Sequence, residues 1–429
     1  MGQVQTVIKQ EAKQMGMMGI LGQKKFLLLW LTYLASSLSV SFFLFVTNWY
    51  VVDYLRLEAM LGLVFFASTV PRVLFMLIGG AIADRVSKPW IMFVSDFAKG
   101  LILLGVIVLL FTDLLSIWVL IGLGLVFGIL DAFFWPASGS ILPTIVKEEE
   151  LVRANSILDM TRQFSFICGP LIASFLLGIG GYTTVFAITA VFLLYAAFID
   201  LKLRANGSEE LKEESEKEGR MAKQQLASIM ASIKEGFMYV KKSTFLTALM
   251  STSVFLNLFF TGPYTLGMPI FTRNILGGDV LTYSLLTGSV TTGMLVGTFL
   301  IGMLNLKKKR GLISILSILA MSILFIVLSL TKVFWISIPV VILMGATIAF
   351  ANVPLSAVIQ SHTDKEYLGR VMSLLAFAAM GLTPISHLLT SSLLALGISI
   401  EKIMLVSSSC LCLFIVFTII RAKPLREVD

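Results

Sequence analysis

The sequence predicts an all-α integral membrane protein of twelve transmembrane helices in two pseudo-symmetric six-helix halves. Three observations predict it: twelve long apolar stretches, an alternation of basic and nearly charge-free connections, and a short internal repeat. A bilayer core about 30 Å thick takes roughly 20 apolar residues at 1.5 Å each to cross. Stretches of that kind start near Phe26, Leu57, Pro89, Leu115, Ile157, Tyr182, Phe245, Val280, Gly311, Val333, Val371 and Ile398.

Composition supports the same class. Of 429 residues, 57% are hydrophobic and 14% charged, against about 25% charged in a soluble domain. No connection is long enough to bury a core of its own, which argues against a hidden soluble catalytic domain. The net charge of +8 does not indicate a nucleic-acid partner, because the cations sit in alternate loops. One side carries Lys9, Lys13, Lys24, Lys25, Arg85, Lys88, Lys147 and Arg153, many cations of the central segment, Lys307 to Arg310, Lys365, Arg370, Arg421, Lys423 and Arg426. The other side has Arg56, Arg273, Lys332 and Lys402. The positive-inside rule then places both termini and the central loop in the cytoplasm.

The first span is too long for a secretory signal and no small-residue cleavage site follows it. Cys168, Cys410 and Cys412 fall inside expected spans, where a thiol is most often packing. With His362 and His387 the two histidines, no metal site and no cofactor are expected. No phosphate-binding loop is present.

The chain divides around a charged, apolar-poor stretch. Residues 1–25 read as a cytoplasmic N-terminal segment and 26–201 as the first six-helix half. A cytoplasmic linker follows at 202–244, then the second half at 245–421 and a cytoplasmic tail at 422–429. Within the linker, Leu226, Ile229, Met230, Ile233, Phe237 and Val240 recur at helical spacing, as in an amphipathic helix lying on a membrane face. The repeat joins the two halves. Pro136-Ala-Ser-Gly resembles Pro354-Leu-Ser-Ala, and the segment opening at Arg153 resembles the one opening at Arg370, 17 and 16 residues further on. Matching segments at matching places suggest a duplicated unit.

Between the second and third stretches lie Gly79, Gly80, Asp84, Arg85, Ser87 and Lys88. A glycine pair lets a neighbouring helix come close, and a carboxylate followed by cations can hold a tight turn or dock on a helix N-terminus. This pattern, with six plus six spans and a charged central loop, resembles the major facilitator superfamily. Phe134-Trp-Pro-Ala, Leu151-Val-Arg-Ala-Asn155 and Gly169-Pro170 are similar to its macrolide-efflux and enterobactin-exporter-like branch. Gly80, Asp84, Arg85 and Lys88 match the loop motif, whereas Ser87 and Pro89 replace its usual glycine and second cation. The second copy, Gly302 to Arg310, keeps the basic cluster and has no acid. Span four carries Asp131 where proton-coupled drug antiporters of this superfamily often carry an arginine.

The resemblance implies the major facilitator fold and a non-enzymatic transporter in a bacterial-type plasma membrane, monomeric by default. It would move a hydrophobic or amphipathic small molecule, drug- or siderophore-like, outward against protons. Gly80, Asp84, Arg85 and Lys88 would gate one side. The partners are that small molecule, protons and the lipid bilayer. The same fold moving a lysophospholipid or another metabolite stays open. A membrane-embedded enzyme or receptor is disfavoured, since neither histidine sits in a motif and no signalling domain follows.

Charges inside the spans mark the coupling candidates, because each costs at least about 2.5 kcal/mol at mid-bilayer unless paired or hydrated. Arg72, Asp96, Lys99, Asp131, Asp159 and Arg162 all lie in the first half. They could form a neutral ion-pair cluster pinning spans two to five, or one carboxylate could carry a proton. Asp131 ranks first for that role, since it has no partner nearby in sequence, and Asp96 second. Phe42 and Phe45 of span one, with Phe255, Asn257, Phe259 and Tyr264 of span seven, are the expected cavity wall. Gly122, Gly124, Gly128 and Gly293 to Gly297 read as close helix contacts.

Overall fold

In a bilayer no water satisfies the backbone, so each crossing segment must pair its own N–H and C=O groups. The computed structural model describes residues 17–83, 86–205, 237–304, 309–363, 371, 374 and 381–421, and it is helical throughout with no strand among the described residues. Helix α1 spans Lys24–Trp49 and runs on as a π turn, Tyr50–Tyr54. Then come α2, Leu61–Ala83, α3, Lys88–Phe111, α4, Ile117–Ile141, and α5, Leu151–Ala205. After the linker, α6 spans Thr244–Leu256 and continues through a π turn, Asn257–Thr261, to Asn274. The last five are α7, Val280–Leu304, α8, Arg310–Leu330, α9, Phe334–His362, α10, Thr383–Ala395, and α11, Ile400–Arg421.

Ten helices among the described residues are long and apolar enough to cross a membrane. One of them contains α5, whose 55 residues exceed any bilayer. It breaks at Gly180 and Gly181, where Gly181 takes φ 68°. That left-handed geometry is routine for glycine alone, and the break falls where a new span is expected near Tyr182. The span expected from Val371 lies partly outside the described residues, and its later part is α10. The linker up to residue 236, with most of its amphipathic helix, also lies outside them.

The chain forms two compact units, Met1–Val46 with Val70–Ala222, and Thr47–Thr69 with Lys223–Asp429. In the first, Ile20, Phe26, Leu29 and Tyr33 pack against Phe134, Ala137, Ile141, Ile157 and Leu158. In the second, α7 and α9 meet backbone to backbone. A Cβ on Gly293 would run into the Ile342 carbonyl, and one on Gly345 into the Val290 carbonyl. Helices in lipid gain little from apolar burial against each other, so small residues that let backbones touch supply the packing. Gly122 departs from the expectation. A Cβ there would meet nothing within 4 Å, so it is no helix contact.

Asp279 caps α7, accepting from the Thr282 N–H at 2.9 Å and the Thr282 hydroxyl at 2.8 Å. These bonds favour the ionised carboxylate and hold it below its ordinary value.

Gly293→Leu should lower the unfolding midpoint of the purified protein sharply, since overpacking a tight contact costs about 1–3 kcal/mol and more against backbone. Gly122→Ala should leave it unchanged or raise it slightly. Equal effects of the two substitutions in a thermal melt would contradict this account of the α7–α9 crossing.

Candidate functional site

Six ionisable groups were expected inside the first half, and the structure brings four of them together. Asp131 on α4 is clamped from two sides. Its Oδ1 takes Lys99 Nζ at 2.5 Å and its Oδ2 takes the Arg72 guanidinium. Lys99 is itself buried, lies over the Phe134 ring at 5.0 Å, and sits 3.7 Å from Asp96 Oδ1. Asp96, fully buried, accepts the Ser36 hydroxyl at 2.5 Å on Oδ2. The chain of contacts therefore runs Arg72, Asp131, Lys99, Asp96, Ser36.

Local sequence explains the placement. Asp96 and Lys99 are one turn apart on α3, so both project from one face. On α1, Thr32 and Ser36 are likewise a turn apart. Thr32 Oγ1 lies 2.8 Å from Asp200 Oδ1 and 2.9 Å from the Ala196 carbonyl. Asp200 is 0% exposed, and sequence reasoning missed it because it sits near the end of a span. Its signal was available: an acid still inside the apolar run, with Thr32 and Ser36 interrupting the apolar face of α1.

Two expectations need correcting. Asp159 and Arg162 do not join this cluster. They pair with each other at 3.0 Å along α5, and both side chains are about half exposed, 58% and 47%. Their i,i+3 spacing is enough to pair them on their own helix face. Asp131 is not a lone carboxylate either, because Arg72 and Lys99 reach it from α2 and α3. Of the gating residues, Lys88 opens α3 and Gly80 lies in α2. Asp84 and Arg85 lie outside the described residues.

The expected aromatic wall also divides. Phe42 and Phe45 are 1% and 4% exposed, with Phe42 packed against Phe192. Their rings fill the helix packing rather than facing a cavity. In the second unit Phe255 stacks on Phe414 with centroids 3.8 Å apart. Phe259 and Asn257 are partly exposed, as is Tyr264, which stacks on Phe260. Asn257 donates to the Ser253 carbonyl, and its oxygen accepts from Thr261.

The π turn holding Asn257 has an identifiable cause. In an α-helix the Gly262 N–H would pair with the Leu258 carbonyl. Here the Ser386 hydroxyl of α10 stands between them, accepting from Gly262 N at 2.8 Å and donating to Leu258 O at 2.6 Å. A side chain inserted into the ladder is a known origin of helix distortion, and π segments of this kind recur at functional sites. Ser391 bridges the 3-10 turn leading into α2, accepting from Gly62 N at 3.0 Å and donating to the Ala59 carbonyl. Between these two serines, His387 is buried against Phe65, and neither ring nitrogen has a hydrogen-bond partner. At the helix ends of the same unit, Arg273 pairs with Asp53 at 2.9 Å and Asn274 donates to Glu58 at 3.0 Å.

An all-α bundle with ten helices long and apolar enough to cross a membrane, among the described residues, and a buried ion-paired cluster defines a multi-span membrane protein. Residues 29–387 match the Major Facilitator Superfamily, and the chain belongs to that family. Family membership makes it a transport protein and not an enzyme. Macrolide efflux protein A of Streptococcus pyogenes is 25% identical over 381 residues, covering 87% of this chain and 88% of that protein. The putative bacilysin exporter BacE of Bacillus subtilis is 26% identical over 312 residues, covering 71% and 72%. Among solved structures, the nucleoside transporter NupG superposes with a TM-score of 0.73 at 12% identity, covering 93% and 99%. The chain is thus a multi-pass bacterial membrane protein that moves small molecules by secondary transport.

Lys99→Met should lower the unfolding midpoint strongly, because breaking a buried ion pair on one side costs about 3–5 kcal/mol. Arg162→Gln, which breaks an exposed pair, should cost less than about 1 kcal/mol. A thermal melt in detergent that ranks them the other way would contradict the assignment of the buried network.

Proposed function

We propose that this chain is a twelve-span exporter of a hydrophobic or amphipathic small molecule, driven by the proton gradient through alternating access. Macrolide efflux protein A matching over 87% of the chain is the observation that carries the direction and the substrate class. The boundaries and the cytoplasmic placement of both termini and the linker follow the loop charges. Gly80, Asp84, Arg85 and Lys88 gate the cytoplasmic side. Asn257, Phe259 and Tyr264, partly exposed along the distorted helix, offer a mixed aromatic and polar wall of the kind that suits bulky amphipathic ligands. The chain works as a monomer, and the coupling proton binds among the buried carboxylates of the first unit, whose charge balance depends on Asp96.

Asp131 acts in this reading as the fixed anion of the cluster. Two cations on one carboxylate make its charge-assisted bonds strong, and Asp96 holds a hydroxyl and a more distant cation. Neutralising Asp96 changes the charge of the cluster and uncouples it.

The test is accumulation of macrolides, siderophores and fluorescent lipophilic compounds in an efflux-deficient bacterium, with and without a protonophore. Expression of the chain should lower accumulation of at least one compound, the protonophore should restore it, and Asp96→Asn should abolish the gradient-driven part. Unchanged accumulation of every compound by a chain shown to be in the membrane would contradict the export reading. Movement of a lysophospholipid in the same cells would replace it with the lipid alternative.

A further inference from the structure

Buried carboxylates outnumber buried cations in the first unit. Among the described residues there, the buried acids are Asp96, Asp131 and Asp200, and the cations that pair with any of them are Lys99 and the half-buried Arg72. Two of the acids match the two cations, and Asp200 is the acid left over. Its Oδ2 has no hydrogen-bond partner, and among the described residues no cation pairs with it. An isolated carboxylate in that position would pay a large desolvation penalty, whereas the neutral acid would not.

The hydrogen bonds point the same way. Thr32 has one hydroxyl hydrogen and two close acceptors, the Ala196 carbonyl at 2.9 Å and Asp200 Oδ1 at 2.8 Å. A carbonyl oxygen can only accept. If Thr32 donates to Ala196, then the contact to Asp200 is a hydrogen bond only if the carboxyl supplies the hydrogen. The two contacts are both satisfied when Asp200 is protonated.

The position suits exchange with the cluster. Thr32 and Ser36 lie on successive turns of α1, the first touching Asp200 and the second Asp96. The two acids are therefore held by hydroxyls one turn apart on α1. Among the described residues, the charged groups linked to this pair of acids are Lys99 from α3, Asp131 from α4 and Arg72 from α2; the Arg204 side chain on α5 lies outside the described residues. From α1 come the two hydroxyls, and on α5 itself Lys202 turns to the Phe198 ring at 4.5 Å.

We propose that Asp200 carries a proton in this structure and is the carboxyl that binds and releases the transported proton, with Thr32 as the hydrogen-bond partner that re-aims on release and Asp96 as the neighbouring ionised acid. This deepens the proton-driven export reading and rests on it. With Asp200 protonated, the cluster of two cations and two anions sums to zero. Release breaks the Asp200 O–H bond and passes the proton to water, leaving the carboxylate. The Thr32 hydroxyl hydrogen then swings from the Ala196 carbonyl to that carboxylate. Since Asp200 is fully enclosed here, release requires the surrounding helices to part, which ties protonation to conformation.

The experiment is infrared spectroscopy of the purified full chain in lipid at neutral pH, reading the carbonyl stretch of protonated carboxyl groups, alongside pH-gradient-driven export in vesicles. Asp200→Asn should remove a protonated-carboxyl band, and Thr32→Val should shift that band without abolishing it. Asp96→Asn should weaken it, because the cluster then reaches neutrality with Asp200 ionised. A band that survives Asp200→Asn overturns the proposal, as does a band unmoved by Thr32→Val should the first variant misfold. Export that stays gradient-driven in Asp200→Asn overturns the proposal and leaves proton-driven export standing. Export indifferent to the gradient in the unmodified chain overturns the reading beneath it, and the band would still report the acid.

Discussion

The clamp on Asp131 by Arg72 and Lys99 is the interaction on which the first unit depends. Removing a charge from water costs several kcal/mol per ion even after relaxation, and only close, well-oriented partners repay it. Three helices contribute to that repayment: α2 through Arg72, α3 through Lys99 and α4 through Asp131. Their relative rotation is fixed by it, since a turn of any one would bury a charge alone. Lys99 then carries the constraint one step further, to Asp96 at 3.7 Å and through Ser36 to α1. A polar chain running across four helices is a specificity device in a bundle whose apolar faces would otherwise pack in many registers.

Among its described residues, the second unit solves the same packing problem without buried ion pairs at its core. Its helices touch through glycine, as at Gly293 and Gly345, and through serine hydroxyls that bond to the backbone of other helices. Ser386 and Ser391, five residues apart on α10, each accept from a backbone N–H and donate to a backbone carbonyl. The Ser386 insertion loosens one intrahelical bond and replaces it with two interhelical ones.

Much of this was legible in the sequence, and the limits have physical causes. Span positions followed from apolar length, and the starts of α3, α6, α7 and α8 fall within a residue of those expected. The cluster residues Arg72, Asp96, Lys99 and Asp131 were identifiable because charge in a span is costly enough to be rare. Their pairing was not, since it depends on helix rotation, and so Asp131 read as partnerless while Asp159 and Arg162 read as members. Asp200 was overlooked because an acid near a span end normally reaches water, and only the fold shows that it does not. Phe42 and Phe45 look like cavity rings because side-chain type alone does not tell a packed ring from a facing one.

The most direct test of the charge-compensation account is a double-mutant cycle on Lys99 and Asp131, read by unfolding of the purified protein. Compensation predicts that Lys99→Met combined with Asp131→Asn costs less than the sum of the two single changes, with the double variant at least as stable as Lys99→Met alone. Strictly additive losses would contradict it, because they would mean that neither charge depends on the other for its burial.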